Sequence, residues 1–125
     1  MSTLETIHQL SGYALDRAVA EAIGHQLAPT PKNQDPESVW HYEDTGHWAE
    51  QLMPYAPSRR WNLAGPLIEQ YRINIHYYTN SPDCSAWTWK AEMKARGSFT
   101  QHISGRTALE AAMRALVYSF WKDKE

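Results

Sequence analysis

Six histidines, one cysteine and a scatter of carboxylates are the residues of this 125-residue chain whose types could do chemistry. His41 and His47 stand six apart with Glu43 and Asp44 between them, and His76 follows further along. These are metal-ligating types, yet a zinc site draws three or four of them to one point, and neither an HExxH pair nor a paired Cys/His spacing occurs. The expectation is histidines scattered over the surface, with no metal and no cofactor. Cys84 would react only as a thiolate, and Asp83 beside it raises a thiol pKa rather than lowering it. The serines lack a nucleophile elbow, and no GxGxxG or Walker loop is present. Glu43 with Glu50 is a carboxylate pair that any chain of this composition could supply. No catalytic residue is expected, and the chain is read as not an enzyme.

Two other groups are suited to binding. His76, Tyr78, Thr88 and Lys90 would project together from one face of a hairpin, with Lys94, Arg96 and Arg106 near them in sequence. Aromatics interleaved with cations on a sheet stack single-stranded nucleic acid, but a solvated sheet face with cross-strand pairs uses the same residues. Firm phosphate binding takes several convergent Lys and Arg, and too few gather here, so the solvated face is the preferred reading. The second group is Trp48, Leu52, Met53, Tyr55, Arg59, Arg60 and Trp61. Trp, Tyr, Arg and Met are the types enriched in interface cores, so Trp48, Tyr55, Arg59, Arg60 and Trp61 form the candidate protein-binding set. Packing beneath a helix accounts for Trp61 equally well.

The element that must position these residues is a β-hairpin over 72–93. Ile73, Ile75 and Tyr77 alternate with Arg72, Asn74, His76 and Tyr78. Beyond the turn residues Thr79-Asn80-Ser81-Pro82-Asp83, Trp87, Trp89, Ala91 and Met93 alternate with Thr88, Lys90 and Glu92. Period-two patterns on both sides of such a turn predict paired strands with one buried face. Helices must cover that face. Ser11 stands at an N-cap position, Leu15, Ala18, Val19, Ala22 and Ile23 recur at helical spacing, and Gly24 supplies a stop, which predicts a helix over 12–23. Asp16 falls in its early turns, where the helix dipole favours an acid. Trp61, Ala64, Leu67 and Ile68 predict a second helix near 58–71, capped by Ser58 and kinked or restarted at Pro66. Leu109, Ala112, Met113, Leu116, Val117 and Phe120 predict a third over 107–121, capped by Thr107 or Ser104.

The remaining segments say less. Met1–His8 reads as a lead-in, residues 28–37 with their three prolines as a surface loop, and Val39–Tyr42 as a short strand at an edge of the sheet. A third strand fits Phe99–Ile103. A length of 125 residues suits one domain, 1–125, and the 42% apolar and 21% charged fractions are ordinary for a globular protein. Six Trp and seven Tyr against two Phe are not ordinary, and these side chains serve cores and interfaces alike. The net charge of −2 excludes a generic polyanion binder, though residues 1–57 hold two basic and eight acidic side chains and residues 58–125 hold ten and six. A lone cysteine excludes an intrachain disulfide and fits a reducing compartment. No apolar run is long enough for a bilayer span and no signal-peptide core is visible, so a cytoplasmic protein without membrane contact is expected.

Three separated stretches resemble the NinX-like family of small phage proteins. They are Leu10-Ser11-Gly12 with Leu15-Asp16, Val19-Ala20, Ala22 and Gly24; Pro54-Tyr55-Ala56-Pro57-Ser58 with Trp61 and Gly65-Pro66-Leu67-Ile68-Glu69; and Ala111-Ala112-Met113-Arg114-Ala115 with Val117. Their order and spacing run from about residue 10 to 118, whereas the loop from 28 to 46 does not align and carries extra aromatics. The resemblance implies a protein encoded by a tailed phage or prophage and similar to phage α/β-sandwich domains. It carries over no catalytic residue. The combined expectation is an α+β domain that works in the bacterial host cytoplasm as a non-catalytic accessory protein, binding a host or phage protein, with a homodimer as a further form of contact. A nucleic-acid-binding factor using His76, Tyr78, Lys90, Lys94 and Arg96 is the alternative.

Overall fold

The elements follow one another as α1 Thr3–Gln9, α2 Gly12–Ile23, β1 Leu27–Ala28, β2 Trp40–Asp44, β3 Glu50–Pro54, α3 Trp61–Gln70, β4 Ile73–Tyr78, β5 Thr88–Met93, β6 Ile103–Gly105 and α4 Ala108–Lys122. The computed structural model describes residues 3–44, 50–79, 88–93 and 102–122. Within them the chain is α+β, with helices where 12–23, 58–71 and 107–121 predict them.

The hairpin forms as its alternation requires. β4 and β5 pair antiparallel in a register that sets Ile73 opposite Met93, Ile75 opposite Ala91 and Tyr77 opposite Trp89. β6 adds to the other edge of β5, with Ala91 opposite Ile103 and Trp89 opposite Gly105. The third strand of the sheet is therefore Ile103–Gly105, and residues 94–101, where its earlier part was expected, lie outside the described residues. Ile73, Ala91, Met93 and Ile103 are buried on one face of this sheet.

α4 covers that face and is itself enclosed. Every residue from Ala108 to Val117 is buried, not only the predicted stripe, because β4–β6 pack on one side of the helix and α1 and α2 on the other. Gly105 shows how tightly the layers meet: a Cβ there would lie 2.8 Å from the Cα of Ala111. The start of α4 is capped as Thr107-x-x-Glu110 suggests. The Glu110 N–H donates to Thr107 Oγ1 at 3.0 Å, and the Glu110 carboxylate accepts the Arg106 N–H at 3.0 Å.

α2 ends in a Schellman arrangement at Gly24, whose φ is +84°, with Gly24 N–H donating to the Glu21 carbonyl and His25 N–H to the Ala20 carbonyl. Ser11 occupies the N-cap with extended backbone, but its hydroxyl makes no capping bond. Met1–His8 is not a mere lead-in, since Thr3–Gln9 forms α1 and buries Ile7 completely. α3 begins at Trp61 and runs through Pro66, so of the two expectations, a kink or a restart, the restart does not occur. The strand around Val39–Tyr42 does not join the hairpin's sheet. β2 is instead the middle of a second antiparallel sheet in the order β1-β2-β3, because Leu27–Ala28 and Glu50–Pro54 supply a partner on each of its edges.

Candidate functional site

Among the described residues, the turn that enters α3 leads into the most exposed aromatic side chain, Trp61. The Ala56 carbonyl accepts the N–H groups of both Arg59 and Arg60 at 3.0 Å, and the Ser58 N–H donates to Asp16 Oδ1 at 2.8 Å. Ser58 therefore does not cap α3. Its N–H instead anchors the turn to α2. Asp16 in turn is a buried acceptor. Burial pushes its carboxyl up, opposed by the bonds from Ser58 and the charge of Arg59.

Anchoring on one side throws the other side outward. Arg59 and Arg60 are exposed, and Trp61 keeps 58% of its surface in water. Tyr55, expected in the same binding set, points the opposite way: it is buried, with its ring 4.8 Å from those of His25 and His41, and burial pushes its phenol up. Trp48 lies outside the described residues.

Three adjoining depressions continue from Trp61 along the first turn of α4 and share Arg106. One is lined by Arg59, Trp61, Trp89 and Leu109, the next by Gly12, Thr107 and Glu110, and the third by Tyr77, Trp89, Ser104 and Gly105. Tyr77 was expected on the covered face and does share it with Ile73, yet it is 56% exposed because the end of the hairpin outruns the helical cover. Its ring packs on Trp89 at 4.7 Å. Gly105 faces Trp89 across the ladder and brings no side chain to cover it. The result is a groove of two tryptophans and a tyrosine edged by Arg59 and Arg106. The Arg106 side chain is 80% exposed, although its Nη2 also reaches Glu110 at 3.3 Å. Trp89, Tyr77 and Arg106 were not in the expected protein-binding set, and the sequence signal for them is Gly105, a small residue opposite a large one.

The outer face of the hairpin brings His76, Tyr78 and Lys90 together in one depression; Thr88, expected with them, lines the depression beside Tyr77 and Trp89 instead, and Lys94 and Arg96 lie outside the described residues. The Lys90 ammonium sits over the Tyr78 ring at 4.6 Å. This face also holds a cluster that the spacing of the histidines conceals. Glu92 Oε2 is 3.0 Å from His102 Nε2, Glu92 Oε1 is 3.8 Å from His76 Nε2, and Asn74 Nδ2 donates to Glu92 Oε1 at 3.2 Å. The Asn74 bond, with the two histidines assisting against the effect of burial, holds the Glu92 carboxyl below the usual range.

The sequence model of the family described as "Bacteriophage P22, NinX" matches residues 6–119 of the 125. The chain belongs to this family. No curated protein matches it. For this NinX-family chain the three stretches of family resemblance are joined in space. Asp16 of the first accepts from Ser58 of the second, and Arg114 of the third donates from Nε to the Leu10 carbonyl at 2.8 Å. Among the described residues no helix is long and apolar enough to cross a membrane.

Proposed function

We propose that this NinX-family protein is a non-catalytic phage or prophage accessory factor that acts in the bacterial host by binding a host or phage protein through the Trp61–Trp89–Tyr77 groove. The observation that carries the reading is Trp61, a large apolar side chain left 58% exposed beside the exposed Arg59 and the half-buried Trp89. Exposing so much aromatic surface in one place costs solvation free energy, and a partner's side chains recover it. The arginines favour a partner that brings carboxylates to the rim of the contact.

The chemistry of the lining supports binding over turnover. Glu110 is the carboxylate among the residues lining these depressions, and it is engaged by Arg106 and Arg114. Nucleic acid is the less favoured ligand. On the described part of the hairpin's outer face Lys90 is the lysine, its ammonium is engaged by Tyr78, and Glu92 stands on the same face.

The test is a pull-down of tagged protein from bacterial host lysate, with and without nuclease, read by mass spectrometry. The expected result is one stoichiometric protein that survives nuclease and is lost with Trp61→Ala but kept with Lys90→Ala. Recovery of a second copy of this chain in the same pattern would identify the partner as a homodimer. Loss of all bound material on nuclease treatment would overturn the reading in favour of nucleic acid.

A further inference from the structure

We propose that His76, Glu92 and His102 form a binding site for a divalent transition-metal ion of the zinc type on the outer face of the β4–β5–β6 sheet. The residues come from three adjacent strands or their immediate extension. His76 is on β4 and Glu92 on β5, while His102 directly precedes β6, next to the Ala91–Ile103 pair. Antiparallel pairing turns all three side chains to one side, although they are 16 and 10 residues apart in sequence (92 − 76 and 102 − 92).

The distances suit such an ion. One ligand atom from each residue can be chosen so that all lie within 4.8 Å of one another. Tetrahedral zinc with bonds of about 2.0–2.1 Å holds its ligands about 3.3 Å apart, and His102 Nε2 stands 3.0 Å from Glu92 Oε2 while His76 Nε2 stands 3.8 Å from the other oxygen, Oε1. Small rotations of the two imidazoles suffice, since their side chains are about half exposed and the ring centres are 5.7 Å apart. Both histidines turn Nε2 toward Glu92.

The surroundings favour a cation as well. Asn74 Nδ2 holds Glu92 Oε1, which orients the carboxylate in the way that outer-shell donors orient metal ligands. Lys90 lines the same depression, and its ammonium would repel a metal ion if it swung inward. It is drawn instead over the Tyr78 ring. Two imidazoles and one carboxylate are the borderline ligand set that zinc accepts, and three protein ligands leave a fourth position for water. The ligands must be deprotonated to bind the metal, so affinity falls in acid.

The experiment is isothermal titration calorimetry of ZnCl2 into the full chain, freed of any affinity tag, at pH 7.5. One ion per chain is expected. His76→Ala, His102→Ala and Glu92→Gln should each weaken binding by at least about tenfold, the loss typical even of outer-shell partners. His8→Ala, in α1, should bind like the unaltered chain. Circular dichroism of each variant confirms the fold, because the altered imidazoles are exposed. A cobalt(II) spectrum of tetrahedral intensity that is lost in His102→Ala would support the site independently. Absence of binding by the unaltered chain, or binding that the three variants leave unchanged, would overturn it.

Discussion

The Asp16 carboxylate accepts a hydrogen bond from the Ser58 backbone N–H at 2.8 Å across 42 residues of sequence, and this bond ties the turn that presents Arg59 and Trp61 to helix α2. Asp16 is 1% exposed, so its oxygen has no route to water if the turn moves. A buried acceptor and a backbone donor thus hold each other in place, and the groove's geometry depends on the pair.

Replacing Asp16 separates the roles of acceptor and charge. Asp16→Ala leaves the Ser58 N–H buried and unpaired, and should cost about 1.5–3 kcal/mol in denaturant unfolding. Asp16→Asn keeps an oxygen at the same place and removes a charge that burial disfavours, so its cost should be below about 1 kcal/mol. Equal losses from the two changes would show that the charge, not the hydrogen bond, holds the turn.

Gly105 offers a steric test of the layer between sheet and helix. An added Cβ would meet Ala111 backbone atoms, which cannot rotate aside as a side-chain tip could. Gly105→Ala should therefore destabilise the protein by about 1–3 kcal/mol, measured as a lowered denaturant midpoint with an unchanged slope.

These residues also show how far the sequence can be read. Alternation identified the hairpin, and helical spacing identified α2 and α4, because burial on one side writes a period into the chain. The completeness of α4's burial was not legible, since Ala108, Ala111 and Ala115 suit either a surface or a core and only the arrival of α1 and α2 decides. The role of Asp16 as an anchor is illegible for a similar reason: a buried carboxylate and an exposed one look alike until the partner 42 residues away is known. The second sheet escaped notice because β1 has two residues, too few to show alternation. In the groove, Arg59 and Trp61 were legible from residue type, whereas Tyr77 and Trp89 became exposed through the length of the hairpin relative to its cover. The grouping of His76, Glu92 and His102 needed the strand register, which spacing alone does not supply.

The exposed residues of the groove should separate binding from folding. Trp61→Ala removes a side chain that is 58% in water, so stability should fall by only about 1–2 kcal/mol and the chain should stay folded. Once the partner is in hand, the same change should weaken the complex by about 2 kcal/mol or more, roughly 30-fold, as truncation of a central aromatic contact does. Arg59→Ala should act mainly on the association rate and its salt dependence. Surface plasmon resonance against the captured partner measures both, and full affinity in Trp61→Ala would place the interface elsewhere.

Two buried carboxylates should give the acid limb of the stability profile opposite signs. Glu110 is pushed up by burial, but the Arg106 N–H and guanidinium and the Arg114 charge outweigh that and hold its carboxyl below the usual range. A depressed folded value means that its contribution is fully present above the unfolded carboxyl value of about 4.3 and is lost as pH falls through the folded value. Asp16 is raised, so the unfolded chain releases that proton first, and stability declines as pH climbs from about 3.9 toward the raised folded value. Glu110→Gln should then cost about 3 kcal/mol at pH 7, because Arg114 keeps its burial and loses its anion, and the penalty should shrink below pH 4. Asp16→Asn should behave in reverse, comparing best with the unaltered chain at neutral pH and worst in acid, where the native Asp16 is already protonated. Urea unfolding of the three proteins at intervals from pH 2.5 to 7 measures both slopes. Parallel profiles would mean that neither carboxylate titrates differently on folding.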